Sequence, residues 1–312
     1  MKHTLPVVVG PTACGKTDTA VALAKILDGE IISADSMQIY KHMDIGTAKP
    51  TFQEMQGIPH HLIDCVAPDE AYSVAQFKED ALACVEDIIH RGKIPIIAGG
   101  TGLYINALTL PWGFQEKDTD PEVRKQLEEE CARIGNQAFY DKLKAVDPKA
   151  CETIHPNNTK RVVRALEIYT VTGKTKSDLD AEAQQEALPY DYVLMGIAMA
   201  RQALYTRIDK RVDGMIAKGL TDEVKNLLEA GYGRDLIAMK AIGYKEFFPY
   251  FDREQSLDEA VYILKRDTRH FAKRQLTWFR RDKRIQWFDR ADYAEPKAMA
   301  QAMADYYQNS IH

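Results

Sequence analysis

The chain has 312 residues, of which 45% are hydrophobic and 28% are charged, and its formal net charge is −5. This length and composition predict a globular protein with a substantial core, built as one large domain or as a domain with an insertion. The negative net charge argues against a general nucleic-acid binder, although a local basic surface can outweigh it.

The cysteines and the apolar runs indicate the compartment. Five cysteines are present, an odd number without any C-x-x-C pair, which predicts neither a disulfide framework nor a zinc site. The N-terminal run MKHTLPVVVG is too short for a signal peptide, and no stretch is long enough to span a bilayer. We therefore expect a cytoplasmic protein with no membrane partner, and since no feature requires a second subunit we expect a monomer.

The first hundred residues alternate between strand and helix patterns. Short buried strands are predicted at LPVVVG (5–10), EIISAD (30–35) and IPIIAGG (94–100). Helical spacing follows the first strand at 15–27, and a second helix is predicted from an N-cap at Ser73 to His90. This alternation predicts an α/β fold with a parallel sheet covered by helices on both faces.

The composition changes after this region. From Asp120 to about Ala187 the chain is polar and helical, with Asp120-Pro121 as a helix start and further helices at 136–145 and 158–172. We expect a helical insertion domain (116–187) within a core formed by 1–115 and 188–312. The run YDYVLMGIAM (190–199) is predicted to rejoin the sheet, and helical patterns then continue to about Arg284.

The motif GPTACGKT lies between the first strand and the first helix and matches the P-loop pattern. Its backbone N–H groups and the start of the helix suit phosphate oxygens, Lys16 can reach the phosphates, and the Thr17 hydroxyl can hold Mg²⁺. We expect a diphosphate to bind Gly10, Pro11, Thr12, Ala13, Cys14, Gly15, Lys16 and Thr17. The fold class is therefore predicted as P-loop NTPase-like.

Asp35 is the one acid at the end of a predicted strand, since IPIIAGG ends in glycines. It could support a metal ion as in a kinase, act as a base on a second substrate, or be an ordinary turn residue. The first two roles place it near the P-loop, because ligands gather at the carboxyl ends of the strands in such sheets.

Four sequence blocks near this sheet edge help to decide between these roles of Asp35: DSMQIY (35–40), MDIGTAKP (43–50), PHHLID (59–64) and GGTGLY (99–104). Four more follow, RVVRALEIYTVTGKT (161–175), RVDGMIAKGLTDEV (211–224), KAIGYKE (240–246) and AKRQLTWFR (272–280). With these blocks in this order, the sequence resembles the tRNA dimethylallyltransferases, also called tRNA isopentenyltransferases. The resemblance covers nearly the whole chain.

The resemblance implies transfer of a dimethylallyl group from dimethylallyl diphosphate to the N6 amine of an adenine beside the tRNA anticodon (position 37). Lys16 and a Thr17-bound Mg²⁺ would neutralise the departing diphosphate. Asp35 is the candidate base, and Thr101 would orient the amine. Arg207 and Arg211, one helical turn apart, are candidates for the diphosphate, and the resemblance favours Arg211.

A basic helix is predicted at 264–284, where five cations fall within about 60° of one another at 100° per residue. They are Arg266, Arg269, Lys273, Arg280 and Arg284. A charged face of this kind is often only solvated, but a segregated ridge in an acidic protein favours RNA binding.

By the resemblance, we expect tRNA contacts from three segments of the core and two of the insertion. They comprise Asp35, Ser36, Met37, Gln38 and Thr101; Lys240, Ala241, Ile242, Gly243, Tyr244 and Lys245; Lys273, Arg274, Gln275, Leu276, Thr277, Trp278, Phe279 and Arg280; Arg124; and Thr159, Lys160, Arg161, Val162 and Val163. The expected partners are a tRNA anticodon stem-loop and dimethylallyl diphosphate.

Three other functions fit parts of the sequence. A P-loop nucleoside or nucleotide kinase would use Asp35 to activate a hydroxyl, and a related prenyltransferase could act on free adenine nucleotides. A non-catalytic RNA-binding protein could use a nucleotide only as a switch. The basic ridge and the helical insertion argue against both small-molecule enzymes, which need no such extended surface.

Overall fold

The computed structural model describes residues 2–111, 119–185 and 187–311, and its main feature is a six-stranded sheet. The strands are β1 (Thr4–Val9), β2 (Gly29–Ala34), β3 (His60–His61), β4 (Ile94–Gly99), β5 (Asp191–Ala198) and β6 (Gln286–Asp289). Their order is β3-β2-β4-β1-β5-β6, and each neighbouring pair is parallel. The predicted parallel α/β fold is confirmed.

The helices that follow or connect these strands are α1 (Lys16–Leu27), α2 (Phe52–Met55), α3 (Val74–His90), α4 (Gly102–Thr109), α5 (Pro121–Ile134), α6 (Asn136–Val146), α7 (Thr159–Thr172), α8 (Lys176–Ala183), α9 (Arg201–Ala217), α10 (Leu220–Glu229), α11 (Phe248–Phe251), α12 (Leu257–Phe279) and α13 (Pro296–Ser310). None of the helices in the described ranges combines the length and the apolar character needed to cross a bilayer.

Side-chain caps explain where several helices begin. Ser73 accepts a hydrogen bond from the Gln76 amide, and Asp120 accepts from the amides of Glu122 and Val123. Both caps satisfy N–H groups that have no partner inside the helix. The two predicted helix starts are thus confirmed, with Pro121 in the first turn where its missing N–H costs nothing.

The chain divides into two units, Met1–Ile105 with Tyr190–His312, and Asn106–Pro189. The predicted insertion at 116–187 lies within the second unit, and the predicted boundary between 115 and 116 falls outside the described residues. The first unit packs α1 and α13 against the sheet through buried residues that include Leu23 and Met303.

The second unit has its own core, in which Phe139 and Leu143 of α6 pack with residues of α5 and α7. Glu167 of α7 is fully buried beside this core and binds the guanidinium groups of Arg124 and Arg164. It also accepts the Asp120 amide, so the buried carboxylate has both charge partners and a backbone donor.

The parallel register fixes where the loops leave the sheet. Val9 and Ala34 are both aligned with Gly99, so β1, β2 and β4 end at the same edge. The P-loop, the Asp35 turn and the glycine turn after β4 therefore start side by side. Sequence reasoning missed β6, because its four residues, QWFD, include only one buried side chain and show too little periodicity.

At the amino end of β2, Glu30 is buried and its carboxylate binds Arg91 and the His61 ring. These partners, with the Arg91 hydrogen bonds foremost, lower the pKa of Glu30 to about 2 from its usual 4.5. The carboxylate therefore stabilises the fold above pH 4.5, and that contribution is lost as the pH falls toward 2.

We expect Glu30→Gln to lower the free energy of unfolding at pH 7 by about 2 kcal/mol, since it removes charge-assisted hydrogen bonds. Urea unfolding at a series of pH values tests this, and the difference from wild type should shrink between pH 5 and pH 2.5. Asp87→Asn is the matched control, because Asp87 binds the same arginine from an exposed position. A difference that does not change with pH would contradict the assignment.

Candidate active site

The P-loop connects β1 to α1 and turns inward at Gly15, whose φ of 97° lies in the left-handed region that glycine adopts without strain. The Lys16 ammonium donates to the carbonyl oxygens of Gly10 (2.9 Å) and Pro11 (2.8 Å). The lysine is thus folded over its own loop, next to the first-turn N–H groups of α1, where an anion would bind.

Two arginines of α9 reach the same loop. Arg207 Nε donates to the Ala13 carbonyl at 2.8 Å, and Arg211 Nη1 lies 3.4 Å from the Thr12 hydroxyl oxygen. Burial lowers the pKa of both Lys16 and Arg211. Within the described ranges none of these three cations forms an ion pair with an acid, so positive charge is concentrated at the loop. Such a site favours a multiply charged anion.

Asp35 and Thr101 lie in adjoining turns at the same sheet edge. Asp35 Oδ1 accepts the Met37 amide at 3.0 Å, which is the turn interaction expected for a lone acid after a strand. The Thr101 hydroxyl oxygen accepts the Ser36 amide at 3.0 Å, and the Thr101 amide donates to the Ala34 carbonyl at 3.2 Å. The two turns are therefore held together by direct hydrogen bonds, and among the described residues Asp35 accepts a hydrogen bond through Oδ1 alone.

A cleft opens between the P-loop and these turns. Its lining combines charged and polar groups with small apolar side chains: Lys16, Thr17, Ala20, Ile31, Ser33, Asp35, Gln38, Pro50, His60, Ile63, Ala98 and Gly99. In this lining the loop after β1 supplies the lysine and the turn after β2 supplies the carboxylate. The arrangement suits a ligand with an anionic head and a short apolar tail beside a proton acceptor.

His60 belongs to this cleft but was assigned no role from the sequence. Its Nδ1 lies 2.8 Å from the Ile58 carbonyl oxygen, which can only accept, so Nδ1 carries the proton and Nε2 is left as an acceptor. Burial lowers the pKa of the ring, which favours the neutral form. The PHHLID block is the signal that could have pointed to it.

The oxygen donors of the cleft suit Mg²⁺ only together with a substrate. The described residues include no group of three or more acidic, histidine or cysteine side chains that could hold a metal by themselves. Mg²⁺ bound with a phosphorylated substrate needs only one or two protein oxygens, because the phosphates and water supply the rest. The Thr17 hydroxyl and the Asp35 carboxylate both line the cleft and fit that requirement.

A carboxylate that sequence analysis missed holds the neighbouring loop. Glu223 of α10 accepts the backbone amides of Asp44, Ile45 and Gly46 at 2.7–3.0 Å, and the Tyr244 hydroxyl at 2.7 Å. Three sequence blocks are joined at this one side chain. Gly46 allows the close approach, since a Cβ there would lie 2.5 Å from the Tyr244 ring.

The residues with predicted tRNA roles differ in exposure. In the first unit Lys240, Lys245, Lys273, Arg274, Thr277 and Arg280 are exposed, whereas Ala241, Gly243, Tyr244, Gln275 and Phe279 are buried. In the second unit Lys160 and Arg161 are exposed, Val162 and Val163 are buried, and the Arg124 guanidinium binds Glu167. The exposed cations are therefore the groups that an RNA backbone could reach without rearrangement.

The predicted continuous basic ridge is wrong in part. Helix α12 ends at Phe279, so Arg284 lies beyond it and binds Asp282 in the following turn. Arg269 pairs with Asp209 and Arg266 with Asp267. Asp282 lies after the last helical residue, in the turn that leads into β6. Because Asp209, Asp267 and Asp282 pair with three of the five predicted cations, less free positive charge is present than the helical projection predicts.

The chain resembles known transferases over most of its length. A family model described as IPP transferase matches residues 38–282. A tRNA dimethylallyltransferase from Acetivibrio thermocellus is 54% identical over 287 residues, covering 92% of each chain. A second protein of that name, from Alkaliphilus oremlandii, is 52% identical over 305 residues, which cover 97% of this chain and 96% of the relative.

Solved structures agree with these relatives. A tRNA isopentenylpyrophosphate transferase from Bacillus halodurans superposes with a TM-score of 0.71 at 44% identity, covering 100% of both chains. A eukaryotic dimethylallyltransferase acting on tRNA gives a TM-score of 0.83 at 31% identity, covering 98% of this chain and 80% of that one. The P-loop-like fold predicted from the sequence is confirmed by these structures.

The Glu223 contacts give a local prediction. In Glu223→Gln the side chain keeps one acceptor oxygen and loses its charge, so we expect about 1–2 kcal/mol of local stability to be lost. Hydrogen exchange should show faster exchange at the amides of Asp44, Ile45 and Gly46. The control is Glu229→Gln, an exposed acid of α10 paired only with Lys225. Unchanged exchange at the three amides would show that other contacts hold the loop.

Proposed function

The chain belongs to the IPP transferase family, and from that premise we propose that it is a tRNA dimethylallyltransferase. It transfers a dimethylallyl group from dimethylallyl diphosphate to the N6 amine of an adenine next to the tRNA anticodon, and releases diphosphate. The single observation that carries the proposal is the convergence of three cations, none of them ion-paired with an acid of the described residues, on a P-loop that shares a cleft with Asp35.

The diphosphate occupies the P-loop in this proposal. Binding draws the Lys16 ammonium from the Gly10 and Pro11 carbonyls to the phosphate oxygens, and Arg211 approaches from the Thr12 side. As the bond between the allylic carbon and the diphosphate oxygen breaks, negative charge grows on the leaving group. Cations already held at that place stabilise the transition state without having to be reorganised.

Asp35 acts on the other reactant. The lone pair of an aromatic amine is delocalised, so a base must take one N6 proton as the carbon–nitrogen bond forms. Asp35 keeps one oxygen for this step while the Met37 amide holds the other. Thr101 holds the adjoining turn through Ser36, and its proposed role is to orient the same amine.

Mg²⁺ is the proposed cofactor, held by the Thr17 hydroxyl and the substrate, and when bound it would supply further neutralisation of the diphosphate. The remaining residues of the loop, from Gly10 to Gly15, shape the cradle. Arg207 contributes by holding the Ala13 carbonyl in place.

The tRNA is proposed to contact exposed cations of each unit. In the first unit these are Lys240 and Lys245, Lys273 and Arg274 on α12, and Arg280 directly after that helix. In the second unit they are Lys160 and Arg161. The adenine must leave its stack to reach a cleft, which costs least in a single-stranded loop such as that of the anticodon. A cytoplasmic location and a monomeric state remain predictions, and the free thiols of the five cysteines suit a reducing compartment.

The decisive experiment incubates purified protein with Mg²⁺, radiolabelled dimethylallyl diphosphate and unmodified tRNA, followed by nuclease digestion and nucleoside chromatography. Label in N6-prenylated adenosine supports the proposal. Label on free AMP, or phosphate transfer from ATP to a nucleoside, would replace it with one of the small-molecule functions. RNA binding without any turnover would point to a non-catalytic protein.

Asp35→Ala should abolish transfer, with kcat lower by at least about 100-fold, because general base catalysis is typically worth that much or more. Its affinity for tRNA should stay within about tenfold of wild type, since the base acts mainly in the transition state. Filter binding and single-turnover assays separate the two. Loss of tRNA binding with normal turnover at saturation would remove the base role.

The double substitution Lys273→Gln with Arg280→Gln should weaken tRNA binding and reduce its salt dependence. Each lost phosphate contact should lower the slope of log K against log salt by about 0.7–0.9, because fewer counterions are released. Titrations between 50 and 300 mM salt test this. Lys225→Gln with Lys297→Gln removes the same charge from α10 and α13 and serves as the control; equal slopes in the two proteins would exclude α12 from the interface.

A further inference from the structure

Gln275 is a buried amide in α12 whose two polar atoms both bind backbone at the active site. Its Oε1 accepts the Thr12 amide of the P-loop at 2.8 Å, across 263 residues of sequence. Its Nε2 donates to the Gly100 carbonyl at 2.9 Å, in the turn that precedes Thr101. One side chain therefore joins the loop that holds the diphosphate to the turn beside the candidate base.

The Gln275 side chain points away from the exposed side of α12, which argues against its predicted tRNA contact. The side chain is 6% exposed, while Lys273, two residues earlier, is exposed. Two residues advance the helix by about 200°, so the two side chains leave opposite sides of α12. If Lys273 faces a tRNA phosphate, Gln275 faces the active-site loops.

The glycine turn is shaped to receive α12. A Cβ at Gly100 would lie 2.4 Å from Gln275 Nε2, and one at Gly102 would lie 2.3 Å from the Trp278 ring. The backbone of the turn thus approaches the helix more closely than any other residue type allows. The close contact through Gln275 therefore depends both on the glycines of the turn and on the side chain from α12.

We propose that Gln275 is a positioning residue for the transfer reaction, setting the distance between the bound diphosphate and the adenine amine. This rests on the proposed function. The reacting carbon and nitrogen must approach to about 3–3.5 Å in line, and a misplacement of about 1 Å can cost about 100-fold in rate. Because P-loop and turn come from different strands, a direct link between them fixes this separation.

The same contact orients Thr12. Its amide is held by Gln275, and its hydroxyl is the atom that Arg211 approaches from α9. Loss of the amide contact would release Thr12 and the arginine that depends on it. The effect is expected on the chemical step, because neither group is placed on the tRNA-facing side.

The first test compares Gln275→Met with wild type in the full-length protein. Methionine has similar length but cannot donate a hydrogen bond and accepts one only weakly. We expect kcat to fall by about 10- to 100-fold at saturating tRNA and dimethylallyl diphosphate, with the tRNA dissociation constant within threefold. Binding stoichiometry with tRNA corrects for any unfolded fraction. Gln301→Met, which removes an exposed glutamine of α13 bonded to Asp305, is the matched control.

The second test disturbs the contact from the other side. Gly100→Ala leaves Gln275 chemically intact but displaces its amide, and should reproduce the loss of kcat. The double variant should be no slower than the slower single variant, since both changes break one link. Gln275→Asn, which keeps both polar atoms but draws them back by one methylene, breaks the link without placing an apolar group between the loops and is the second variant should the methionine protein fail to fold.

The outcomes are distinct. A fall in tRNA affinity with unchanged kcat at saturation would make Gln275 a tRNA contact and overturn the proposal. Wild-type kcat in Gln275→Met, or multiplicative effects in the double variant, would overturn it as well. Absence of prenyl transfer by the wild-type protein would instead remove the proposed function on which the positioning role rests.

Discussion

The parallel register of β1, β2 and β4 is the constraint on which the site depends. Because Val9 and Ala34 both align with Gly99, three chemically different loops leave the sheet at one edge. A shift of one residue in either pairing would turn the side chains of that strand to the opposite face and move its loop along the edge. The buried, apolar strands make such a shift unfavourable, so the geometry of the cleft is a consequence of the core.

Within that frame, the charges are distributed unevenly. Lys16, Arg207 and Arg211 meet around the P-loop and form no ion pair within the described part of the chain. The burial that lowers the pKa of Lys16 and Arg211 is unfavourable in the absence of an anion. In the proposed function a bound diphosphate would relieve that cost, which favours tight binding. The Gly10 and Pro11 carbonyls meanwhile give the lysine partial compensation through their dipoles.

Much of this could be predicted from local sequence. The P-loop follows a fixed sequence pattern, and an apolar run such as LPVVVG is sufficient to indicate a buried strand. The capping residues Ser73 and Asp120 indicate where their helices begin. The contacts of Glu223 and Gln275 with backbone could not be predicted, because those backbone groups lie 177–179 and 175–263 residues away. The ion pair between Arg269 of α12 and Asp209 of α9 is also a long-range contact. A helical projection of α12 alone cannot show it and therefore counts Arg269 as a free cation.

These long-range contacts share a physical logic. Two of the side chains that hold the active-site loops are a carboxylate bound to backbone amides, Glu223, and a neutral amide bound to backbone, Gln275. Neither uses a cation, and so the cations near the loops stay available for phosphate groups. Had an arginine–acid pair joined the P-loop to the glycine turn, its acid would have repelled the diphosphate at short range. A neutral link such as Gln275 joins the two loops without weakening the field that binds the substrate.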